Sequence, residues 1–486
     1  MQPSDSSKSW NSYQSHLFYD EMFEKNGTVR PHYSKVFRQF QKSPYQQLAD
    51  RQQAFDRMIM EEGITFTVYG ESSTDSLERT IPFDLLPRII PKKEWLVIER
   101  GMIQRVKALN LFLYDIYHGQ EIVKEGIIPR RLVMTNKYFR YEMMHLDIPN
   151  NVYITASGID LIRNDQGQYL VLEDNLRSPS GFSYLFKNRS LMSRLYPELM
   201  FSHPVQEVEQ SLEAFLKMLR SLAPGGASKP VIALMTPGCM NSAYYEHTFL
   251  AQQMGIELVE GSDLVCRDQY IYIRTLNGYK KVDVLYRRID DEYLDPLAFR
   301  PDSLLGCPGL MNAYRAGHIA IANAPGTGVA DDKAMYSYVP QMIRYYLNEE
   351  PILSNVPTYL LDRPEEREYV LDRLDEMVVK ETSMSGGYGM LIGPAATEEE
   401  RSLFSEKILQ SPGSYIAQPT IKLSTSPVLQ NGRLEPRHID LRGFVLNGDN
   451  VHVIPGGLTR VAMQEGSLVV NSSQGGGCKD TWVLTK

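Results

Sequence analysis

The chain has 486 residues, of which 43% are hydrophobic, 10% aromatic and 23% charged. This size and composition are typical of a globular protein with two or three lobes around a shared cleft, and they exclude a disordered or fibrous chain. The 59 acidic residues outnumber the 51 Lys and Arg, which gives a net charge of −8, and the basic residues form only short pairs such as Arg130-Arg131. Nucleic acid is not expected as a partner, because binding to its phosphates requires a basic surface.

The cysteines and the amino terminus indicate the cellular compartment to expect for the protein. The four cysteines are widely spaced and match neither a zinc pattern nor a disulfide framework: Cys239, Cys266, Cys307 and Cys478. The first ten residues are polar, and the sequence contains no run of about 18 apolar residues. We therefore expect a cytoplasmic protein without an export signal or a membrane span.

The first 150 residues are expected to be mainly helical. Residues 13–60 have an amphipathic helical pattern, and residues 64–69 alternate like a strand. Between Glu94 and Tyr117, apolar residues recur every three or four positions, which predicts a long helix with one buried face. The pattern predicts an N-terminal extension of helices and a strand.

A β-hairpin is predicted next, with strands at 158–163 and 168–175 joined by a polar turn. Asp160 lies on the first strand. Glu173 and Asn175 share one face of the second, because residues two apart on a strand point the same way. Their oxygen atoms are ligands that Mg²⁺ prefers. A solvent-facing acidic hairpin better explains any one of these residues, whereas all three together, among apolar neighbours, favour a metal site.

The rest of the chain divides at turns rich in Gly and Pro. The stretch 223–230 predicts a domain boundary, and the β-α-β order of residues 231–259 predicts a small α/β lobe. A helix and the strand 377–380 follow the turn at 323–328, and residues 415–486 are predicted to be mainly β. The expected domains are 1–150, 151–225 with the hairpin, 230–330 as the small lobe, 331–418 with a glycine loop, and 419–486 completing the site.

Two further groups of residues indicate phosphate chemistry. Lys380 ends an apolar strand and precedes a loop whose backbone N–H groups can face phosphate oxygens: Ser385, Gly386, Gly387, Tyr388 and Gly389. Such a loop is more often only a turn, and no Walker or dinucleotide-binding signature accompanies it. Arg442, Arg460 and Asn471 lie near glycine turns, where arginines can clamp a phosphoryl group, although each alone has a structural explanation.

Taken from residue 331 to the C-terminus and then onwards from the N-terminus, these segments resemble the ATP-grasp superfamily. The whole chain resembles circularly permuted ATP-grasp proteins of the glutathionylspermidine synthase type. Asp332-Lys333 resembles the first phosphate-binding lysine segment, residues 378–380 the second, and residues 385–389 the mobile glycine loop. The segment around Gln418 resembles the hinge that holds adenine.

The C-terminal motifs extend the resemblance. Residues 440–444, Arg460 and Asn471 resemble the arginine, arginine and asparagine-glycine order of ribosomal-protein glutamate ligases. The metal hairpin that follows in unpermuted members would here be the one at 158–175, and Arg177 with residues 178–181 resembles the segment facing the acceptor substrate. The motifs at 19–21 and 30–33 have no counterpart in the general ATP-grasp pattern.

The resemblance implies an α/β protein, with α+β lobes, of the circularly permuted ATP-grasp fold. It also implies ATP and Mg²⁺ as cofactors, and a ligase that joins a small-molecule or peptide carboxylate to an amine through an acyl phosphate. An ATP-grasp kinase and a nucleotide-binding partner subunit with little activity alone are the alternatives, and a protein partner is compatible with each.

The implied roles can be assigned by residue. The catalytic residues would be Arg460, Arg442 and Arg177. The nucleotide-binding residues would be Lys333, Lys380, Ser385, Gly386, Gly387, Tyr388, Gly389, Gln418 and Asn471. The metal ligands would be Asp160, Glu173 and Asn175. In the small lobe, the candidates for substrate binding are Asn241, Glu246, Arg287 and Arg288.

Overall fold

Strands from both ends of the sequence meet in one sheet of the protein. The structure, a computed structural model, describes residues 13, 18–69, 76–383, 389–430, 433–471 and 475–486. Its strands are β1 (Thr65–Tyr69), β2 (Ser76–Thr80), β3 (Phe83–Ile90), β4 (Ala156–Arg163), β5 (Tyr169–Asn175), β6 (Ile232–Met235), β7 (Glu257–Val259), β8 (Leu264–Arg267), β9 (Tyr270–Thr275), β10 (Gly278–Lys281), β11 (Val284–Arg287), β12 (Ala320–Ala322), β13 (Ser354–Asn355), β14 (Tyr359–Leu360), β15 (Met377–Glu381), β16 (Leu391–Ile392), β17 (Tyr415–Pro419), β18 (Thr425–Gln430), β19 (Arg433–Asn447), β20 (Val451–Val453), β21 (Leu458–Val461) and β22 (Gly477–Val483).

The helices surround these strands. The longer α-helices are Ser34–Lys42, Tyr45–Glu61, Lys92–Tyr117, Phe182–Leu195, Gln210–Ser221, Tyr244–Met254, Pro364–Leu371 and Glu398–Gln410. The shorter ones are Glu121–Lys124, Arg130–Met134, Pro197–Ser202, Asp291–Leu294, Leu310–Arg315, Lys333–Tyr336 and Val339–Met342. None of the helices in the described ranges is long and apolar enough to cross a membrane.

The largest sheet joins the predicted hairpin to the C-terminal strands. Its order is β13-β5-β4-β19-β21-β22-β3, with β18 and β20 also paired to β19. β4 pairs with β5 on one side and with β19 on the other, so the hairpin lies beside strands from the end of the chain. This confirms the permuted fold that the resemblance implies. The separate domain boundaries stay a prediction.

The side chains of β19 alternate between the two faces of this main sheet, and each face packs against a different core. Leu441 and Val445 belong to the core that includes the helix Lys92–Tyr117, whereas Phe444 and Leu446 belong to the core that includes the helix Phe182–Leu195. Gly443 permits the close approach of the long helix, because a Cβ at this position would lie 2.5 Å from the Met102 sulfur. Asp160, Asp440 and Arg442 follow the alternation onto the face of Phe444.

One strand from the first 150 residues, β3, belongs to this sheet, whereas β1 and β2 form a separate pair. β3 is buried along all of its eight residues and pairs in parallel with β22 at the edge of the sheet. The long helix follows directly after Pro91, whose ring suits a helix start. Its predicted apolar positions are buried, which confirms the helical assignment: Trp95, Ile98, Met102, Val106, Leu109 and Phe112.

Two smaller units complete the fold. The predicted small α/β lobe is present as the parallel sheet β12-β11-β6-β7, with the helix Tyr244–Met254 connecting β6 to β7. The antiparallel sheet β14-β17-β15-β16 carries Lys380 and Gln418 on neighbouring strands. The helix Glu398–Gln410 follows this sheet's edge strand β16, and a reciprocal capping box between Thr397 and Glu400 fixes its start.

Candidate functional site

One cleft lies between the main sheet and the smaller sheet that contains β15 and β17. The main sheet contributes Asp160, Glu173 and Arg460 to its lining, and the smaller sheet contributes Lys380 and Gln418. Lys333, Asp440 and Asn471 also line it. Residues that are up to about 300 positions apart in sequence are thus gathered around one space, which we call the central cleft.

The hairpin places its polar side chains as its alternation predicts. Asp160 pairs directly with Glu173 across β4 and β5, and a β-bulge follows this pair. Asn175 pairs with Gly158 and its amide nitrogen donates to the Gly158 carbonyl oxygen at 3.3 Å. Within the part of the chain that the structure describes, the Glu173 carboxylate has no assigned hydrogen bond or ion pair, and it faces the cleft.

Asp174 anchors the same strand from the opposite face. Arg105 of the long helix donates to both oxygens of the Asp174 carboxylate at 2.6 Å, and both side chains are buried. A bidentate pair of this kind fixes orientation as well as position. The long helix therefore holds the strand that presents Glu173.

Asp160, a predicted metal ligand, is held by two arginines. Arg442 donates to both of its oxygens, at 2.6 and 2.8 Å, and Arg460 donates to Oδ2 at 2.8 Å. Burial tends to raise the pKa of Asp160, but the two guanidinium groups outweigh this and lower the pKa to about 2. The carboxylate is thus ionised and held between arginines, and its role as a metal ligand stays a prediction.

Arg460 is the centre of this network. Besides Asp160, its guanidinium contacts both oxygens of Asp440, and it donates to the Asn471 amide oxygen at 2.9 Å. Burial alone would lower the pKa of Arg460, but the two carboxylates raise it. Arg460 is a fixed cation at the cleft, although most of its donors are already engaged.

Lys380 faces the hairpin across the cleft. Its ammonium group donates to the Gln418 amide oxygen at 2.8 Å, and the Gln418 amide nitrogen donates to the Thr358 hydroxyl at 3.0 Å. Burial lowers the pKa of Lys380 to about 8, with a contribution in the same direction from Lys333, while Glu173 and Asp160 oppose the shift. Lys380 is therefore a cation that loses its proton at a mildly alkaline pH.

Lys333 begins a short helix at the cleft. The Asp332 carboxylate caps this helix by accepting from the backbone N–H groups of Ala334 and Met335. The preceding residue, Asp331, accepts from the Leu176 N–H at 2.5 Å and from Arg177 Nε at 2.6 Å. The segment that carries Lys333 is thus attached to the end of the hairpin formed by β4 and β5.

Arg177 lies beside the central cleft rather than in its lining. It pairs with Asp331 and reaches Asp290 at 3.5 Å, and its guanidinium lies 4.3 Å from the centre of the Tyr138 ring. Four members of the predicted glycine loop, Ser385, Gly386, Gly387 and Tyr388, lie outside the described residues. Gly389 has a φ of +66°, a conformation that favours glycine.

The other end of the cleft is apolar, which the sequence did not single out. Ile162 and Leu172 from the hairpin face Ile392 and Pro419 from the smaller sheet, and further apolar residues line the same space: Val356, Val378, Met390, Ile421, Leu423, Leu468, Val469 and Val470. In the sequence these residues are indistinguishable from core. The cleft therefore combines an apolar slot with a polar end of lysines, arginines and carboxylates.

The substrate-binding candidates of the small lobe make contacts within the protein. The Glu246 carboxylate accepts from the N–H groups of Gly181 and Ser183 and pairs with Arg288, with both side chains buried. Arg287 is buried against Asp291 and the carbonyl of Asn323. Asn241 accepts from the Ala243 N–H, which is a local turn contact. The charges of Glu246 and Arg288 compensate each other, and the charge of Arg287 is compensated by Asp291. The role of these residues in substrate binding stays a prediction.

Comparison with known proteins adds an independent finding. The profile of the circularly permuted ATP-grasp type 2 family matches residues 87–462. A Synechocystis protein named as uncharacterized is 51% identical over 474 residues, covering 97% of this chain and 98% of its own. A Frankia alni protein provisionally named glutamate–cysteine ligase 2-3 is 41% identical over 467 residues, covering 96% of this chain but 54% of its own. This chain thus spans about half of the Frankia protein.

A solved structure shares the fold. A glutathione synthetase-like effector of Globodera pallida, in its apo form, superposes with a TM-score of 0.56 over 91% of this chain and 98% of that chain. The two sequences are 12% identical, so the likeness concerns the fold alone. The family profile covers more than half of the sequence and includes the hairpin, Lys333, Lys380, Arg442 and Arg460. The chain belongs to the circularly permuted ATP-grasp type 2 family.

Proposed function

We propose that the protein is an ATP- and Mg²⁺-dependent ligase that joins a carboxylate to an amine. Membership of the family and the name of the Frankia relative support an ATP-dependent ligase in general. The observation that carries the finer proposal is the opposition of Lys333 and Lys380 to Glu173 at one end of a cleft whose other end is apolar. Such a cleft suits a purine base at the apolar end and a metal-bound triphosphate at the other.

The donor set fits Mg²⁺. Among the described residues no group of three or more His, Cys, Asp or Glu side chains could hold a metal by themselves. Mg²⁺ commonly takes one or two protein carboxylates and completes its shell with phosphates and water. Glu173 is open to the cleft, and Asp160 and Asn175 flank it on the same hairpin face. When bound, the metal would supply charge neutralisation for the phosphates.

The residues of the chain would position the reactants and stabilise charge. Lys333, Lys380 and Arg460 would contact the phosphates, and Gln418 would contact the base at the hinge, with Asn471 bonded to Arg460. A substrate carboxylate oxygen attacks the γ-phosphorus, and ADP leaves. The amine then attacks the acyl carbon, the C–O bond to phosphate breaks, and the amine proton is released. Arg442 and Arg177 would stabilise the second half of the reaction.

The test is ADP formation with pools of carboxylic acids and amines. A ligase requires one compound from each pool, a kinase requires a single acceptor, and a nucleotide-binding subunit releases no ADP with either. Once an active pair is found, ¹⁸O in the substrate carboxylate is expected to appear in the released phosphate, because the acyl phosphate is cleaved between carbon and oxygen. Phosphate without the label would contradict the acyl-phosphate route.

The proposed role of Lys380 predicts that the affinity for ATP depends on pH. Phosphate oxygens bind the protonated ammonium group, whose pKa in the unliganded protein is about 8. ATP affinity is therefore expected to be constant below pH 8 and to fall by up to about tenfold per pH unit above it, because binding must then take up a proton. Isothermal calorimetry between pH 7 and 9.5, in two buffers of different ionisation enthalpy, measures the ATP affinity and the number of protons taken up on binding.

Two variants serve as controls for the Lys380 prediction. Lys380→Arg keeps a permanent charge and is expected to flatten the profile, since arginine stays protonated over this range. Lys380→Met is expected to bind ATP more weakly at pH 7, also with a flat profile and with its thermal stability retained. A wild-type affinity that does not change between pH 7 and 9.5 would remove Lys380 from phosphate binding.

A further inference from the structure

The N-terminal segment contains a motif that the proposed function leaves unexplained. We call residues 18–24, which include the motif Tyr19-Asp-Glu21, the N-terminal strap. It contains a short parallel bridge between Asp20 and Thr425. The Glu21 N–H donates to the Thr425 carbonyl at 2.9 Å, and the Thr425 N–H donates to the Tyr19 carbonyl at 2.8 Å. Through these two hydrogen bonds the strap is paired with Thr425, in the segment that follows the predicted hinge at Gln418.

The Glu21 carboxylate joins three separate parts of the chain. Oε1 accepts from Arg88 at 2.8 Å and from the Ser424 hydroxyl at 2.9 Å, and Oε2 accepts from Arg163 at 3.0 Å. The Glu21 and Arg88 side chains are 1% exposed, and that of Arg163 is 8% exposed. In addition, the Ser424 N–H donates to the Arg163 carbonyl at 2.8 Å. A single buried anion therefore ties β3, β4 and the segment after the hinge together.

Two of these partners adjoin the apolar end of the central cleft. Arg163 directly follows Ile162, and Ser424 directly follows Leu423. Ile162 and Leu423 belong to one apolar cluster with Val356, and all three line the cleft. Glu21 itself does not line the cleft. Its bonds hold Ile162 and Leu423 together as one wall of the apolar part of the cleft.

Tyr19 packs against the turn of the hairpin. Its ring lies between the guanidinium groups of Arg30, at 4.3 Å, and Arg163, at 4.2 Å. At the hairpin turn, Gly167 has a φ of +80°, and a Cβ there would lie 2.7 Å from the Tyr19 ring. The strap is thus packed against the hairpin from the turn to the residue next to Ile162.

We infer that Glu21 is a positioning residue for the base of the bound nucleotide: by clamping Arg163 and Ser424, it fixes the position of the apolar wall that contains Ile162 and Leu423. The inference rests on the proposed function, since it takes the cleft as the nucleotide site. The polar end of the cleft, with Lys333 and Lys380, lies outside this clamp. Loss of Glu21 is therefore expected to affect the base end and to spare the phosphate end.

The experiment compares two ligands that share phosphates but not a base. For Glu21→Gln, the dissociation constant of ATP is expected to rise about tenfold, while that of inorganic tripolyphosphate, with Mg²⁺ in both cases, stays within about twofold of wild type. Equal losses for both ligands, or an unchanged ATP affinity, would overturn the inference. Ser424→Ala removes one of the bonds without unpairing an arginine, and it is expected to shift ATP affinity in the same direction by a smaller factor.

A matched control separates positioning from general stability. Asp480→Asn removes a carboxylate that is also buried and also paired with an arginine, Arg189 at 3.0 Å, but that does not line the cleft. This variant is expected to lose thermal stability and to keep the ATP affinity of wild type. A weakening of ATP binding in Asp480→Asn as large as that in Glu21→Gln would contradict a specific role for Glu21.

Hydrogen exchange tests the clamp formed by Glu21 without nucleotide binding or catalysis. The amides of Ser424 and Thr425 are expected to exchange faster in Glu21→Gln than in wild type, without any nucleotide present, because their segment loses its clamp. If wild type binds no ATP, the proposed function fails while faster exchange still supports the clamp. Unchanged exchange at both amides would show that Glu21 does not hold this wall.

Discussion

Glu173→Gln is expected to lower the rate of ADP formation by about 10²–10³-fold, the usual effect of removing one electrostatic element that stabilises a transferring group. The substitution keeps the size of the side chain and removes one negative charge from the hairpin face. ATP is expected to bind still, because Lys333, Lys380 and the hinge are untouched. The loss should therefore fall on turnover rather than on the dissociation constant of the nucleotide.

The measurement pairs steady-state ADP formation with calorimetric binding of ATP, both across a range of Mg²⁺ concentrations. A weaker metal site predicts that added Mg²⁺ restores part of the activity. Glu257→Gln, which removes an exposed carboxylate paired with Lys280 in the small lobe, provides a charge-matched control with activity close to wild type. Unchanged turnover in Glu173→Gln would remove Glu173 from the metal site.

The hairpin could be predicted because its information is local. A period of two places Glu173 and Asn175 on one face, and a short turn brings Asp160 opposite them, with no need to know the rest of the chain. The long helix from Lys92 to Tyr117 was predicted for the same reason. Local patterns of this kind do not report what a distant segment contributes to the same face.

The partners of Asp160 could not be predicted from local sequence patterns. Arg442 and Arg460 are 282 and 300 residues away from Asp160 in sequence. Without the sheet order, a carboxylate on a hairpin and an arginine on a remote strand give no sign of each other. The resemblance placed these residues in one site, but only the antiparallel pairing of β4 with β19 sets Arg442 directly opposite Asp160.

The small lobe shows a second limit of sequence patterns. Arg287 and Arg288 are adjacent cations at the end of a buried strand, and the sequence alone does not reveal the carboxylates that compensate them inside the protein, Asp291 and Glu246. The apolar wall of the cleft was missed because Ile162 and Leu423 look like core residues. In each case the sequence carries the residue type but not the partner that decides its role.

Asp160→Asn separates two accounts of the hairpin, because the two predict opposite changes in the stability of the unliganded protein. If Asp160 only awaits a metal, its charge repels the neighbouring Glu173, and removing it should stabilise the protein. The observed pairing predicts the reverse. The substitution would leave Arg442 without its ion pair and Arg460 with Asp440 alone, and unpairing a buried ion pair costs about 3–5 kcal/mol in the free energy of unfolding.

Urea denaturation of the nucleotide-free protein at pH 7 measures this difference, with Glu173→Gln as the comparison, for which little or no loss is expected. The pH dependence gives a second readout. Because the arginines hold the pKa of Asp160 at about 2, below its ordinary value near 4, its contribution is complete above pH 4 and is lost as the pH falls from 4 to 2. The difference in stability between wild type and Asp160→Asn should shrink over that interval. A stabilised Asp160→Asn variant would show instead that repulsion between the two carboxylates dominates in the empty cleft, and that the arginines do not depend on Asp160 for their placement.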